Sequence, residues 1–351
     1  MGFEDNIRKV TPYTPGEQPE NKVIKLNTNE SPYTPSPRVI EVLRELDWDR
    51  LRLYPDPAMS ALTESIADHY GVKPSEVFAG VGSDDVLSMC FLTFFAGNRP
   101  VLFPDITYSF YDVWAEVYRI PYETRRLDED FRIVPSDYYG TNGGVVIANP
   151  NAPTGIGESR EFIEDILEHN RDSVVIVDEA YIDFGAETAL PLIEKYDNLI
   201  VVRTMSKSRA MAGMRIGYCF GNSRLIGFLN DVKYSVNSYT LNLPSIAAGK
   251  AAIEDSEYFR EIVGRIKKTR EKTAVELAEL GFASYPSDTN FIFTKPPEGN
   301  KAKDIFLKLK EYGIYVRYFD KERISDYLRI TIGTDDEMHM LIHILKEIIK
   351  K

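Results

Sequence analysis

In this chain of 351 residues, Lys207 has a type and a position that suggest chemistry. It ends the segment Arg203-Thr-Met-Ser-Lys207, which directly follows the apolar run Leu199–Val202. An amine at the end of a buried strand can act as a nucleophile and form a Schiff base with a carbonyl. A solvated loop lysine is the commoner outcome for such a residue, and the segment by itself leaves both readings open.

Asp178 is a second candidate, because it follows the four β-branched apolar residues Val174–Val177. Ligands of doubly wound sheets bind at the carboxyl ends of the strands. A carboxylate in that position is costly to bury unless it meets a partner. The alternative reading is an aspartate that caps a helix or lies in a loop.

Three further segments are rich in turn-forming and anion-binding residues. Asn149–Gly155 holds two prolines and a glycine after an apolar run, which predicts a rigid turn. Gly80-Val-Gly-Ser-Asp84 opens a helical stretch, where free N–H groups favour an anion. Gly213 and Gly217 flank Arg215, which indicates a close backbone approach. Each also has an ordinary reading: a turn without ligand, a Ser83 N-cap, and a surface arginine.

The elements that would position these residues alternate between strands and helices from about residue 75 to 220. Nearly continuous apolar runs predict strands that are covered on both faces, namely Val101–Phe103, Val145–Ala148, Val174–Val177 and Leu199–Val202. Helical segments such as Tyr111–Tyr118 and Glu161–Asn170 lie between them. The pattern predicts an α/β fold with a mostly parallel central sheet flanked by helices.

The last hundred residues predict a smaller α+β domain. Helices are expected over Ser256–Leu280 and Ala302–Tyr312, and Thr334 with Glu337 forms a capping box for a final helix. Short strands are expected over Asn290–Thr294, Ile314–Tyr318 and Tyr327–Ile332. We therefore predict a large domain over residues 30–245 and a small domain formed by residues 1–29 and 246–351.

Composition excludes several classes of protein. The formal charge of −12 argues against nucleic-acid and anionic-membrane partners, and no apolar run approaches the length of a membrane span. The polar start, residues 1–25, lacks a signal-peptide core, which predicts a cytoplasmic protein. Cys90 and Cys219 lie in apolar stretches and are expected to be buried thiols. No metal site is expected, since His339 and His343 lack a third ligand.

The combination of these segments, in this order, resembles the fold-type I aminotransferases that depend on pyridoxal 5′-phosphate (PLP). More narrowly, it resembles the histidinol-phosphate aminotransferase family. The Ser-Lys pair with its downstream Gly-x-Arg-x-Gly carries the broader resemblance. The narrower one is carried by Leu26-Asn-Thr-Asn-Glu-Ser-Pro32, by Arg52-Leu-Tyr-Pro-Asp56 and by Tyr327-Leu-Arg-Ile-Thr-Ile-Gly333.

The resemblance implies a role for each matching residue. Lys207 would hold PLP as a Schiff base, Asp178 would pair with the pyridine nitrogen, and Tyr181 would touch the 3-oxygen. Tyr108 would stack on the ring. The remaining residues divide by ligand: Gly82, Ser83, the Asp84 N–H, Ser206 and Arg215 for the cofactor phosphate, Tyr54 for the phosphate in a neighbouring subunit, and Asn29, Arg317 and Arg329 for the substrate.

The implied reaction is a ping-pong transamination between histidinol phosphate and 2-oxoglutarate in histidine biosynthesis, carried out by a homodimer with shared active sites. The alternatives are a PLP-dependent threonine-phosphate decarboxylase and a broad aromatic or aspartate aminotransferase; a non-catalytic binding module is a further one. One position departs from the family, because Ala152 stands where an asparagine commonly contacts the 3-oxygen. We expect Asn151, or else Asn149, to replace it.

Overall fold

The computed structural model describes residues 2–349, and its first regular strand comes from an extended N-terminal arm. Strand β1 (Ile24–Lys25) pairs in parallel with residues 314–315 near the other end of the chain. Helix α1 (Pro37–Arg44) starts after Ser36, whose hydroxyl accepts from the Arg38 N–H. Helix α2 (Ser60–Tyr70) ends at Gly71 in the left-handed conformation.

The central sheet has seven strands in the part of the chain that the structure describes. They are β2 (Val77–Gly80), β3 (Val101–Pro104), β4 (Tyr122–Arg125), β5 (Gly144–Ala148), β6 (Val175–Asp178), β7 (Leu199–Thr204) and β8 (Gly217–Gly221). Their order is β2-β8-β7-β6-β5-β3-β4. Strands β3 to β7 run parallel, and β8 lies antiparallel between β2 and β7. The four strands predicted from apolar runs are confirmed.

Helices cover both faces of this sheet: α3 (Gly82–Phe94), α4 (Tyr111–Tyr118), α5 (Arg160–Glu168), α6 (Ser223–Val236) and α7 (Leu243–Glu254). Alternate residues of one strand enter different cores. Val175 and Val177 pack into one core and Ile176 into the other. Both faces of β6 are therefore buried, which is why its sequence is continuously apolar. The α/β fold with a mostly parallel sheet is confirmed.

The C-terminal part forms a third core around a smaller antiparallel sheet. Its elements are α8 (Ser256–Glu279), β9 (Ala283–Ser284), β10 (Phe291–Lys295), α9 (Ala302–Glu311), β11 (Ile314–Tyr315), β12 (Arg317–Tyr318), β13 (Leu328–Thr331) and α10 (Asp335–Ile349). The predicted capping box is present, since the Thr334 N–H and the Glu337 N–H each bond the other's side chain.

The prediction of one continuous strand over Ile314–Tyr318 is wrong. Residues 314–315 pair with β1, whereas Arg317 and Tyr318 pair with β13 in a different sheet. Because the two segments pair with strands of different sheets, the strand is interrupted at Val316.

The two-domain division stays a proposal, and the packing of α7 bears on its boundary. Helix α7 packs against α1 and α2, and Ile246 and Ala252 lie in a core of the central sheet. This packing favours a boundary near Asp255, between α7 and α8, over the expected one at residue 245.

Cys90 and Cys219 are both buried free thiols, as expected. Among the helices of residues 2–349, none combines the length and the apolarity that crossing a membrane requires.

Candidate active site

A cavity of about 180 Å³ lies at the carboxyl ends of β5, β6 and β7. It brings together residues that are far apart in the sequence, because parallel strands end at the same edge of a sheet. Eight of the residues predicted to bind the cofactor line it: Ser83, Asp84, Tyr108, Asp178, Tyr181, Ser206, Lys207 and Arg215.

Lys207 extends its amine from the loop after β7 toward the N-terminal arm. The Lys207 Nζ donates to the Thr28 carbonyl at 3.1 Å and lies 5.8 Å from the centre of the Tyr181 ring. The loop is held at its base, since the Met205 N–H bonds the Ile216 carbonyl. The amine therefore faces a cavity wall made by two distant parts of the chain.

Asp178 is a buried carboxylate whose bonding partners are neutral. Its Oδ2 accepts from the Tyr111 hydroxyl at 2.9 Å, and its Oδ1 accepts from the Ala180 N–H at 3.1 Å. Burial raises the pKa of Asp178 to about 6, against the lowering effect of these two hydrogen bonds. A positively charged N–H group in the cavity would supply the ionic partner that these donors do not.

The opposite end of the cavity is built to receive an anion. The Ser83 and Asp84 backbone lies in the first turn of α3, where N–H groups are free of intrahelical partners. Gly217 allows this turn to approach β8, because a Cβ there would lie 2.2 Å from the Ser83 nitrogen. Arg215 crosses directly over Gly82, where a Cβ would lie 2.6 Å from the Arg215 Nη2.

Tyr181 is tied to the N-terminal arm by its hydroxyl. The Asn29 Nδ2 donates to the Tyr181 Oη at 2.9 Å, and the Asn29 Oδ1 accepts from the Thr331 hydroxyl at 3.0 Å. Asn29 has a φ of +56°, a left-handed conformation that asparagine tolerates better than most residues. The arm and β13 thus meet at the residue predicted to contact the cofactor 3-oxygen.

A second pocket of about 150 Å³ adjoins the first and shares Lys207, Tyr108 and Tyr181 with it. Arg317, Arg329 and Asn29, the residues predicted to bind substrate, all line it. Arg329 packs between the rings of Phe291 and Phe319, with its Cζ 5.2 Å and 5.5 Å from their centres.

The described residues accept only some of the hydrogen bonds that the Arg329 guanidinium can donate. Its Nη2 donates to the Asn27 carbonyl at 3.1 Å, but its buried Nε has no hydrogen-bond partner within residues 2–349. Burial lowers the pKa of Arg329, and the neighbouring Arg317 acts in the same direction. A ligand carboxylate or phosphate would satisfy both the charge and the free N–H.

Sequence reasoning missed several residues of the site. Thr28 and Glu30 line the cofactor cavity, and Tyr13 lines the second pocket. Thr28 and Glu30 lie within the Asn-x-Asn-Glu motif, which was a usable signal. Tyr13 had none, because its place in the pocket depends on where the arm folds back. Tyr111, which bonds Asp178, was likewise treated as an ordinary helix residue.

Three residues predicted to bind the cofactor, Gly82, Asn151 and Tyr54, are not among those that line the cavity of their own chain. Gly82 lies beneath the Arg215 guanidinium. The Asn151 side chain is occupied by Thr107, Thr154 and the Ile106 carbonyl, and Ala152 forms the cavity wall instead. Asn149 bonds the Glu158 backbone through both ends of its amide. Tyr54 is 81% exposed and stacks on Tyr239, away from either pocket.

The donor set of the cavity fits PLP. Asp178 suits a protonated ring nitrogen, Lys207 an aldehyde, and the turn of α3 with Arg215 and Ser206 a phosphate. The fit rests on two features of the chain itself: a buried carboxylate, Asp178, that has no salt bridge within residues 2–349, and a close backbone approach at Gly217 beside the free N–H groups of α3.

Comparison with known proteins also indicates an aminotransferase. Residues 21–345 match the family described as aminotransferase class I and II. The chain is 49% identical over 348 residues to the histidinol-phosphate aminotransferase of Clostridium beijerinckii, covering 99% of this chain and 97% of that one. It is 50% identical over 342 residues to the enzyme of that name from Chromohalobacter salexigens, covering 97% of each.

A solved structure resembles this one over nearly its whole length. The histidinol-phosphate aminotransferase of Sinorhizobium meliloti, in complex with pyridoxal 5′-phosphate, has a TM-score of 0.85 and 26% identity. The match covers 94% of this chain and 92% of the other. On the strength of these matches, the chain belongs to the class I and II aminotransferases and, among them, to the histidinol-phosphate aminotransferase family.

Proposed function

We propose that this chain catalyses the PLP-dependent exchange of an amino group between histidinol phosphate and 2-oxoglutarate, by a ping-pong reaction in histidine biosynthesis. Relatives of that name are 49% and 50% identical to it over almost its whole length. The observation that carries the proposal is the position of Lys207 on the wall shared by the two pockets. One amine thereby faces both the cofactor cavity and the arginines of the second pocket.

Each end of the cofactor has a matching group of residues. Ser83, Ser206, Arg215 and the N–H groups at the start of α3 would hold the phosphate, and Asp178 would pair with the ring nitrogen. When bound, PLP supplies an electron sink that makes the substrate Cα–H acidic. Tyr108 and Tyr181 line the cavity between these two ends.

The proton must be carried by a base that reaches the substrate carbon. Lys207 Nζ is suited to this role, since it lies on the wall of both pockets. The Thr28 carbonyl, 3.1 Å away, accepts a hydrogen bond from this amine and so fixes where it rests. Ala152 and Tyr181 line the same wall beside it.

The second pocket must recognise a carboxylate in one half-reaction and a phosphate in the other. Arg329 and Arg317 present planar forks that suit both anions. Both arginines are half-buried; Arg329 packs between two aromatic rings, and Arg317 lies at the β12 edge. We assign Arg329 to the anion that each substrate presents, the carboxylate of glutamate or the phosphate of histidinol phosphate, and Arg317 to the phosphate as a second partner.

The first test is Lys207→Ala, with Lys295→Ala as a control at an exposed ion pair with Asp326. Lys207→Ala should abolish the absorbance of lysine-linked cofactor and lower transamination about a thousandfold or more. Lys295→Ala should do neither. Persistence of the lysine-linked absorbance in Lys207→Ala would show that another amine holds the cofactor.

The second test concerns the substrate. Stopped-flow absorbance with histidinol phosphate should show conversion of the cofactor, and phosphothreonine should give no carbon dioxide. Release of carbon dioxide from phosphothreonine would assign the chain to the decarboxylases of this fold.

We also propose a homodimer with shared sites, working in the cytoplasm. The support for the dimer is a group of exposed large side chains near Tyr54: Trp48, Leu51, Leu53 and Tyr239. Monomers seldom expose contiguous apolar surface of this kind. We assign Tyr54, which is exposed on this surface and stacks on Tyr239, to the cavity of a second copy.

A further inference from the structure

The Asp84 carboxylate joins two residues that serve different parts of the cofactor cavity. Its Oδ1 accepts from the Tyr108 hydroxyl at 2.7 Å, and its Oδ2 accepts from the Arg215 Nη2 at 2.9 Å. Tyr108 comes from the loop between β3 and α4, and Arg215 from the loop before β8. Both oxygens of one side chain are thus used across three elements.

The position of Asp84 in the first turn of a helix does not explain these contacts. Asp85 lies in the same turn and carries the same charge, but its Oδ2 accepts from the Val81 N–H at 2.9 Å. That bond closes the local turn, as is usual for an acidic residue at a helix start. Asp84 instead reaches out of the helix to two other loops.

Arg215 depends on Asp84 for its orientation. Its guanidinium is partly exposed, and its other hydrogen bond is a long one of 3.4 Å from Nη1 to the Ala212 carbonyl. An arginine held by one long bond would sample many rotamers. The Asp84 contact fixes the guanidinium above Gly82, at the anion-binding end of the cavity.

Tyr108 depends on the same carboxylate. Burial raises the pKa of the Tyr108 hydroxyl well above its ordinary value, and the Asp84 charge raises it further. The hydroxyl therefore stays protonated and remains a donor to Asp84 at neutral pH. With its hydroxyl fixed, the ring has one orientation on the wall shared by the two pockets.

We propose that the Asp84 side chain is a positioning residue that couples the phosphate end of the cavity to the ring end, by fixing Arg215 and Tyr108 before the cofactor binds. This inference rests on the proposed function, because it takes PLP as the ligand. The gain is preorganisation, since neither side chain has to be ordered at the moment of binding. The carboxylate also repels the incoming phosphate, and the inference states that positioning outweighs this repulsion.

The test uses the full chain freed of cofactor and three probes: PLP, inorganic phosphate and pyridoxal, which lacks the phosphate. Asp84→Ala should weaken PLP binding about tenfold, the scale expected when two side chains lose their restraint. Asp84→Ala should also weaken the binding of inorganic phosphate, which tests the position of Arg215. It should likewise weaken the binding of pyridoxal, which tests the position of Tyr108. Asp84→Asn keeps an acceptor without the charge and should fall between Asp84→Ala and the unmodified chain.

Two controls separate positioning from a general effect. Asp85→Asn removes an equal charge from the same turn and should leave pyridoxal binding unchanged. Tyr108→Phe should cost little further pyridoxal affinity in an Asp84→Ala background, because the two residues act through one contact. Thermal unfolding confirms that each variant is folded.

The inference is overturned if Asp84→Ala and Asp84→Asn bind phosphate as tightly as the unmodified chain or more tightly, since repulsion then dominates. It is also overturned if Asp85→Asn reproduces the losses of Asp84→Ala. Failure of the proposed function looks different: the unmodified chain would then not bind PLP, or would bind it and not convert it with histidinol phosphate.

Discussion

The Asn29 amide lies 2.9 Å from the Tyr181 hydroxyl, although 152 positions separate the two residues in the sequence. One belongs to the N-terminal arm and the other to the segment that follows β6. The bond places the arm across the cavity edge, next to Lys207, whose amine contacts the Thr28 carbonyl.

Asn29→Ala should lower kcat about tenfold and destabilise the fold by about 1–3 kcal/mol, because it leaves buried polar groups unpaired. Tyr181→Phe removes the same bond from the other side. If Asn29 acts through Tyr181, the double variant should be no slower than the slower single variant. Steady-state kinetics and urea unfolding measure both effects, and additive losses in kcat would contradict the coupling.

Arg329→Gln should lower kcat/KM about a hundredfold for both histidinol phosphate and glutamate, since it removes the fork assigned to the phosphate of one and the carboxylate of the other. Arg317→Gln should reduce kcat/KM for histidinol phosphate more than for glutamate, because we assign it to the phosphate and not to the carboxylate. The comparison is made within each variant, between the two substrates. Equal losses for both substrates in Arg317→Gln would remove the distinction between the two arginines.

Asp178 should make the cofactor-free protein less stable as pH rises. Its pKa in the folded state is about 6, against an ordinary value of 3.8. A carboxyl with a raised folded pKa contributes stability that is complete below the unfolded pKa and is lost as pH rises through about 6. A shift of about two units corresponds to about 3 kcal/mol.

Asp178→Asn should therefore be more stable than the unmodified chain at pH 7–8 without cofactor, and the difference should shrink toward pH 4. Urea unfolding across this pH range provides the measurement. Asp326→Asn, at an exposed ion pair with Lys295, serves as the control and should show no such trend. A constant difference between Asp178→Asn and the unmodified chain would contradict the sign worked out above.

Tyr54 can be tested by mixing inactive chains. Tyr54→Ala and Lys207→Ala should each lose activity as separate proteins. In a mixed dimer with shared sites, one site carries both changes and the other carries neither. Unfolding and refolding the two variants together at equal amounts should restore about a quarter of the native activity, as chance pairing predicts. No recovery beyond the sum of the parents would count against a contribution of Tyr54 to a second subunit.

The central sheet was predictable from the sequence because its strands are buried on both faces. The apolar runs that precede Asp178 and Lys207 predicted two strands of the sheet. They also predicted that both reactive groups lie at the carboxyl ends of those strands. Strand β4, with its partly exposed sequence Tyr122–Arg125, carried no comparable signal. The antiparallel direction of β8 could not be read from residues 217–221 either, since it depends on how the chain returns to the sheet.

The site was predictable where it follows directly from strand ends, and not where it depends on contacts between distant segments. Tyr111 resembles any apolar residue of α4 until its hydroxyl is seen to bond Asp178. Asn151 illustrates the opposite error. Its amide is taken up by its own turn and by Thr107, a competition that the composition of the turn does not reveal.

The pairing of β1 with residues 314–315 has a consequence for synthesis of the chain. Ile24 leaves the ribosome early, but the strand that receives it emerges nearly three hundred residues later. Throughout that interval the seven-stranded sheet can assemble from nearby segments, while the arm has nothing to pair with. The wall that Thr28 and Asn29 contribute is therefore the last to close, and chains truncated before residue 314 should hold a formed sheet beside an unfinished catalytic pocket.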